Sequence, residues 1–326
     1  MDVLIPLLGP SGGRPGVNEN HIRIVREALP EARIFFTQGT KEAMSKGIDP
    51  TILITRATIG DHDIQVDYCM NLKNLRWIHA LSAGVEAITS TAIATIPGLI
   101  LSNSRGIHGI PMSEHVLGFI INHYRGLARN RINQAAHVWE RYVPEEIYGK
   151  TLCILGMGSI AADVAKRAKA FGMTVLGVKR TVTAIENVDE VFPSDRMDEA
   201  IARADTVLML LPATNDTKKI MDANKFGTMK DGAFFINVSR ASTTDTEAMI
   251  AALKSGKLAG AALDVYDTEP LPADHPLWDI ENVEISPHVS AQSPHYMQRA
   301  FELFRDIVPY FLRGERLPTQ VDIDKY

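Results

Sequence analysis

Cysteine is almost absent from this chain: two residues, Cys69 and Cys153, in 326. Both sit in apolar surroundings, which predicts buried free thiols rather than a disulfide framework. There is no C-x-x-C pair and no Cys/His spacing of a metal site, so no metal is expected. Also missing is any run of about eighteen apolar residues, so no transmembrane helix is expected. The opening MDVLIPLLGPSGGRPG holds an apolar run with no basic segment before it, and reads as a first strand and loop rather than a signal peptide. Positive charge is not in excess: 34 Lys and Arg stand against 39 Asp and Glu, a net charge of -5, which argues against nucleic acid or an anionic membrane as partner. No internal repeat or low-complexity tract occurs. What is present is ordinary for a globular protein, 45% hydrophobic and 22% charged, with length for two domains. A cytoplasmic location is expected.

The chain is organised around residues 149–181, GKTLCILGMGSIAADVAKRAKAFGMTVLGVKRT. Residues 151–155 form an apolar run with the look of a buried strand. Gly156, Gly158 and Ala161 follow at G-x-G-x-x-G/A spacing, then Ile160, Val164, Ala168 and Phe171 recur at helical period, and 174–178 is a second apolar run. Strand, glycine turn, helix and strand make the βαβ unit that binds a dinucleotide. Gly156 permits the tight turn, Gly158 lets the backbone approach a pyrophosphate, and a small residue at 161 lets the helix pack on the strand. The helix N-terminus offers N–H groups and the positive end of its dipole to phosphate.

Before this unit, residues 3–8, 32–36, 51–55, 75–81 and 99–103 read as strands, with helices over 22–29, 41–46 and 64–72 between them. Such alternation predicts a parallel sheet flanked by helices. A single long helix is expected from Pro111 to about His137, with Met112, His115, Val116, Phe119 and Ile120 on its apolar face, as a connector between domains. After the glycine unit, strands are expected over 206–211, 233–238, 258–263 and 283–286, with a helix across 249–253. A last helix, 296–312, is expected to return to the first domain. The expected domains are 1–104 with 291–326, and 105–290.

Three stretches follow the later strands: FFINVSRAS with Arg240, AALDVYDTEP with Glu269, and EISPHVSAQS with His288. In an open α/β sheet ligands sit beyond the carboxyl ends of strands, so these three side chains could converge. Each has a plainer reading, as a surface charge, a loop residue and a capping residue. Together beside a dinucleotide site they suit reduction of a 2-keto acid. Its carboxylate needs a cation, which arginine supplies as a planar bidentate clamp. Its carbonyl oxygen needs a proton, which a histidine can give near neutral pH. A carboxylate beside an imidazole orients it and favours the protonated ring.

On these residues the chain resembles the D-isomer-specific 2-hydroxyacid dehydrogenases over about 75–312, with the N-x-S-R, D-V-x-x-x-E-P and S-P-H elements in family order. The resemblance implies an α/β fold of two domains, a Rossmann-type dinucleotide-binding domain and a flavodoxin-like substrate domain, both with parallel sheets. It implies that Arg240 binds the substrate carboxylate and carbonyl, that Glu269 orients the histidine, and that His288 is the acid/base. The backbone N–H groups of Ala83, Gly84 and Val85 would face the substrate anion, and residues 103–115 would approach the nicotinamide. The cofactor would meet Gly156, Gly158, Ser159, Ile160, Lys179, Arg180, Thr181, Leu211, Pro212, Thr217, Val238 and Asp264. Substrate would sit between the domains, whose closure excludes water.

The chain departs from the family pattern at Ala241, where a glycine is usual, and at Lys179, where members preferring NAD carry an aspartate. Lys179, Arg180 and Thr181 suit a ribose 2′-phosphate where an acid would accept from a 2′-OH. NADP is therefore expected ahead of NAD, the alternative being a solvated basic turn. The expected activity is NAD(P)H-dependent reduction of glyoxylate or hydroxypyruvate. The alternatives are a dehydrogenase for a bulkier D-2-hydroxy acid, a phosphoglycerate dehydrogenase lacking an appended regulatory domain, and a dinucleotide-sensing interaction protein. A formate dehydrogenase is disfavoured by Glu269, where that branch carries glutamine. A homodimer through the connecting region, including Trp139, is the implied assembly.

Overall fold

The structure is a computed structural model that describes residues 1–6, 16–56 and 64–323. The chain divides into two compact units, Met1–His108 with Gln292–Tyr326, and Gly109–Ala291. The divisions fall a few residues after 104 and one after 290.

The first unit holds five parallel strands: β1 (Asp2–Pro6), β2 (Arg33–Thr37), β3 (Ile52–Thr55), β4 (Trp77–Ala80) and β5 (Ile100–Asn103). Their order is β2-β1-β3-β4-β5, the flavodoxin-like arrangement. The strand expected over 3–8 is described as far as Pro6; residues 7 and 8 lie outside the described residues. Alternation at period two sends Val3 and Ile5 to one face and Leu4 to the other, and both faces are covered. One cover is the helix Tyr296–Leu312, whose Tyr296, Met297, Ala300, Phe301, Phe304, Ile307 and Val308 are buried. Phe304 stacks on Trp77 with ring centroids 5.0 Å apart.

The second unit holds seven parallel strands: β6 (Thr151–Leu155), β7 (Thr174–Val178), β8 (Glu190–Phe192), β9 (Thr206–Met209), β10 (Ala233–Asn237), β11 (Leu258–Leu263) and β12 (Val283–Ile285). Their order is β12-β11-β10-β9-β6-β7-β8. The chain runs outward from β6 in one direction through β7 and β8, then returns to β9 on the other side. That reversal makes a crevice beyond the carboxyl ends of β6 and β9, the switch point of a doubly wound sheet. The short edge strand β8, with an exposed Glu190, has too little apolar pattern to be read from the sequence. Leu152 and Ile154 face the helices Gly109–Arg125 and Ser159–Ala170, while Cys153 and Leu155 face the opposite core.

The connector expected as one helix over 111–137 is two. Gly109–Arg125 ends, Gly126 takes a left-handed φ of 65°, and Leu127–Ala135 follows. The apolar face explains the difference. Gly109–Arg125 buries Met112, Val116, Phe119 and Ile120, whereas Leu127–Ala135 has no buried residue to hold it in line. Tyr142 also occupies the space a Cβ at 126 would need, its Oη donating to the Gly126 carbonyl at 2.9 Å. Glycine supplies this conformation without steric cost.

Candidate active site

Gly156 ends β6 with φ 102°, and a Cβ there would lie 2.8 Å from the Leu210 carbonyl oxygen and 3.0 Å from the Leu211 nitrogen. Only glycine lets the chain leaving β6 pass that close to the chain leaving β9. Gly158 caps the helix Ser159–Ala170 and is the opposite case: a Cβ there meets nothing within 4 Å. No side chain caps this helix, and its first intrahelical bond runs from Ala162 N–H to the Gly158 carbonyl at 3.2 Å. The N–H groups of the first turn, at Ser159 and Ile160, are therefore available. Open space before a helix N-terminus at the switch point fits a pyrophosphate.

The remaining positions expected for the cofactor also follow strands of this sheet. Lys179, Arg180 and Thr181 follow β7; among the described residues neither Lys179 nor Arg180 forms an ion pair, and Lys179 Nζ stands 3.5 Å from Thr183 Oγ1. Leu211 and Pro212 follow β9. The Thr217 hydroxyl donates to the Pro212 carbonyl at 2.6 Å and accepts from the Thr214 N–H at 2.9 Å, so this side chain shapes the loop. Val238 follows β10 and is buried.

Arg240, Glu269 and His288 follow β10, β11 and β12, which are neighbours in the sheet. Glu269 and His288 meet: Nδ1 of His288 lies 2.7 Å from Glu269 Oε2, while Oε1 accepts from the Tyr266 N–H at 3.0 Å. A carboxylate that takes the proton of Nδ1 leaves Nε2 for another partner. Arg240 stands in a turn tied by the buried Asn237, whose Nδ2 donates to the Arg240 carbonyl at 3.1 Å and to Thr244 Oγ1 at 3.1 Å. Asn237 Oδ1 accepts from the Ser239 N–H at 3.0 Å and its hydroxyl at 2.9 Å. The asparagine of N-x-S-R thus sets the backbone from which the arginine projects.

Asp264, expected at the cofactor, is fully buried. Its carboxylate accepts from the Ser286 hydroxyl at 2.5 Å and from the N–H groups of Val289 and Ser290, each at 2.8 Å. It holds the loop that carries His288. Tyr266, buried beside it, donates from its hydroxyl to the carbonyls of Leu263 and Ser286 at 2.7 and 3.0 Å, and burial raises its phenol pKa. Asn237, Tyr266 and Ser286 were legible only as neighbours of motif residues; nothing in a single sequence separates a side chain that supports a loop from one that decorates it.

In the first unit, the loop after β4 has its carbonyls tied: Ser82 Oγ donates to the Gly84 carbonyl at 2.7 Å, and Asn103 Nδ2 to the Ala83 carbonyl at 2.6 Å. Tyr296 Oη donates to the Leu81 carbonyl at 2.7 Å. Among the described residues no hydrogen bond is donated by the N–H of Ala83, Gly84 or Val85. Both cysteines are free and buried, and burial pushes the Cys153 thiol up to about 12, which keeps it unreactive. No helix among the described residues is long and apolar enough to cross a membrane, and they contain no cluster of three or more potential metal ligands.

Comparison with known proteins gives these features a family. Residues 117–290 match the NAD binding domain of the D-isomer specific 2-hydroxyacid dehydrogenases. A solved 2-hydroxyacid dehydrogenase family protein from Aeromonas salmonicida is 30% identical, with a TM-score of 0.86 over 99% of each chain. An NADPH-dependent glyoxylate/hydroxypyruvate reductase from Sinorhizobium meliloti, solved with NADP and sulfate, is 25% identical with a TM-score of 0.79, covering 100% of this chain and 99% of that one. D-3-phosphoglycerate dehydrogenase of Methanocaldococcus jannaschii is 30% identical over 94% of this chain, which spans only 58% of that relative's length. With the family's cofactor domain matched over more than half of the chain and its whole fold shared, this protein belongs to the D-isomer-specific 2-hydroxyacid dehydrogenases, oxidoreductases built on a nicotinamide-dinucleotide domain.

Proposed function

We propose that this dehydrogenase reduces a small 2-keto acid of glyoxylate or hydroxypyruvate size to the D-2-hydroxy acid, with NADPH preferred over NADH. The observation that carries the reading is the 2.7 Å contact of His288 Nδ1 with Glu269, which leaves Nε2 as the proton donor. The dihydronicotinamide supplies the hydride to the carbonyl carbon. His288 gives its Nε2 proton to the carbonyl oxygen as the π pair moves onto it, so a carbonyl, a hydride and a proton make the alcohol. Glu269 accepts from Nδ1 and keeps the ring in place before and after transfer. Arg240 clamps the carboxylate.

Support for NADPH comes from the cationic turn after β7, where, among the described residues, neither Lys179 nor Arg180 is spent on a carboxylate, and from the NADPH-dependent relative. The small substrate rests on that relative's glyoxylate and hydroxypyruvate activity. Oxidation of NADPH and NADH against a panel of 2-keto acids tests both points. Glyoxylate or hydroxypyruvate should give the highest kcat/KM, and His288→Ala should lower kcat by about 10²–10⁴-fold with NADPH affinity retained. Turnover confined to bulkier keto acids or to 3-phosphohydroxypyruvate would reassign the substrate. Tight NADPH binding without turnover on any acid would favour a dinucleotide sensor.

We also infer a homodimer through residues 127–148. Tyr142 and the ion pair of Arg129 with Glu140 at 2.6 Å fold this segment on itself, yet Trp139 and Val143 remain 90% and 96% exposed. Such apolar exposure suits burial against a second copy. Light scattering should give twice the chain mass for the parent and the monomer mass for Trp139→Glu.

A further inference from the structure

Ser286, Asp264 and His115 form a polar chain whose direction can be read. Ser286 Oγ lies 2.5 Å from Asp264 Oδ1, and among the described residues the Asp264 carboxylate otherwise accepts only from N–H groups, those of Val289 and Ser290. The hydroxyl proton therefore goes to the carboxylate. With that proton spent, Ser286 Oγ can only accept from His115 Nε2, 3.1 Å away. The chain runs from His115 to Ser286 to Asp264, and His115 carries its proton on Nε2. His115 comes from the helix Gly109–Arg125, remote in sequence from the loop it touches. Its ring is set edge-on against Phe119, with centroids 4.6 Å apart and planes at 85°. Burial lowers its pKa, with Asp264 acting in the other direction.

What this chain meets is the backbone of His288, where φ is 53°, a left-handed value uncommon for a side chain with a Cβ. Such a residue is strained and persists only where its surroundings over-determine it. Here they do so from both sides. Before His288, the Ser286 carbonyl accepts from the His288 N–H and from Tyr266 Oη, each at 3.0 Å. After it, the next two N–H groups are held by the same Asp264 that Ser286 contacts. Fixing Ser286, Val289 and Ser290 to one buried carboxylate leaves the intervening residues a single path.

We propose that His115, Ser286 and Asp264 are positioning residues for His288: their hydrogen-bonded chain holds the 286–290 turn so that the imidazole meets Glu269 and presents Nε2 to the keto acid. The proposal rests on the reading of His288 as proton donor. Without His115, the Ser286 hydroxyl loses its one donor among the described residues and is free to rotate from Asp264. Without the Ser286 hydroxyl, Asp264 reaches the turn only through the N–H groups of Val289 and Ser290, and the near end keeps its backbone bonds alone.

The test uses the full-length enzyme with NADPH and its best keto acid. Ser286→Ala and His115→Phe should each lower kcat by about 10–10²-fold, the effect of a small misplacement of a reacting group, with the KM for keto acid and the affinity for NADPH close to parental. Ser286→Thr, which keeps the hydroxyl, and His115→Gln, which keeps an N–H at similar reach, should restore most of the rate. The double variant should lose no more than Ser286→Ala alone, because both act through one chain. In a His288→Ala background neither substitution should lower the residual rate further. Additive losses, or equal losses with and without His288, would make these residues ordinary supports and overturn the proposal. Parental kcat in Ser286→Ala and His115→Phe, with His288→Ala inactive, would overturn it and leave the donor reading standing. Parental kcat in His288→Ala would remove the donor reading itself.

A readout without turnover covers the case in which Ser286→Ala fails to fold. In ¹⁵N-histidine-labelled enzyme, the Nδ1 proton of His288 bonded to Glu269 should give a slowly exchanging signal in the parent and in Ser286→Thr. It should broaden or vanish in His115→Phe. An unchanged signal in a folded His115→Phe protein would overturn the proposal.

Discussion

At the scale of single residues, the proposed preference for NADPH rests on the end of β7. Lys179, Arg180 and Thr181 place two cations and a hydroxyl where an aspartate would accept from a ribose 2′-OH. Lys179→Asp with Arg180→Ala should lower kcat/KM for NADPH and raise the NADH/NADPH ratio. Each charge-assisted contact to phosphate that is lost should cost roughly 1.5–3 kcal/mol, about ten- to a hundredfold in affinity. The comparison is steady-state kinetics with both cofactors in parent and variant; an unchanged ratio, or a parent that already prefers NADH, would show that the basic turn does not read the phosphate.

At the scale of elements, the glycine turn separates two jobs that a spacing pattern merges. Gly156 is demanded by the protein itself, since its Cβ would overlap the backbone leaving β9. Gly158 is not demanded by the fold, since its Cβ would stand in open space, and under the proposed function it serves what binds. Gly156→Ala should therefore lower the thermal midpoint, by a strain on the order of 1–3 kcal/mol, and weaken NADPH binding together. Gly158→Ala should leave the melting temperature of the cofactor-free protein near parental and weaken NADPH binding alone. Melting curves and a binding titration on both variants decide this. A loss of stability in Gly158→Ala, or none in Gly156→Ala, would contradict these assignments.

For the whole molecule, the buried histidines make stability depend on pH. Burial lowers the pKa of His79 to about 3 and of His123 to about 4, and lowers those of His21 and His115. All four are depressed in the folded state, so the unfolded chain binds more protons below about 6.5. The stability they contribute is complete above that pH and is lost as pH falls towards the folded values. Glu284 acts in the opposite sense between its ordinary value and about 6, where burial has raised it, and so offsets one proton there. The ring of His123 stacks on Phe234 with centroids 3.9 Å apart, so His123→Phe keeps the contact and removes the titration. Urea unfolding at a series of pH values from 7 to 5 should show stability falling with acid in the parent. The variant's slope should be shallower by up to roughly 1.4 kcal/mol per pH unit, one proton's worth. Identical slopes would mean that His123 is protonated in the folded state as readily as in the unfolded chain.

The sequence alone determined what depends on near neighbours along the chain. Strand, glycine turn and helix around Gly156 lie within one stretch, and their periods announce the dinucleotide unit. The helix Tyr296–Leu312 is bounded as its apolar period predicts. The contact of Glu269 with His288 was legible because each follows a strand, and parallel strands in one sheet bring such positions to one edge. The tertiary structure decided what depends on partners distant in sequence. The connector breaks at Gly126 because burial ends there, and no local pattern states how far a core extends. Asp264 serves the His288 loop because Ser286, Val289 and Ser290 surround its carboxylate, twenty-two to twenty-six residues away along the chain. His115 reaches Ser286 across 171 residues, through the packing of a helix on a sheet edge. A hydrogen bond needs a distance and an angle, and these exist only once the chain has closed.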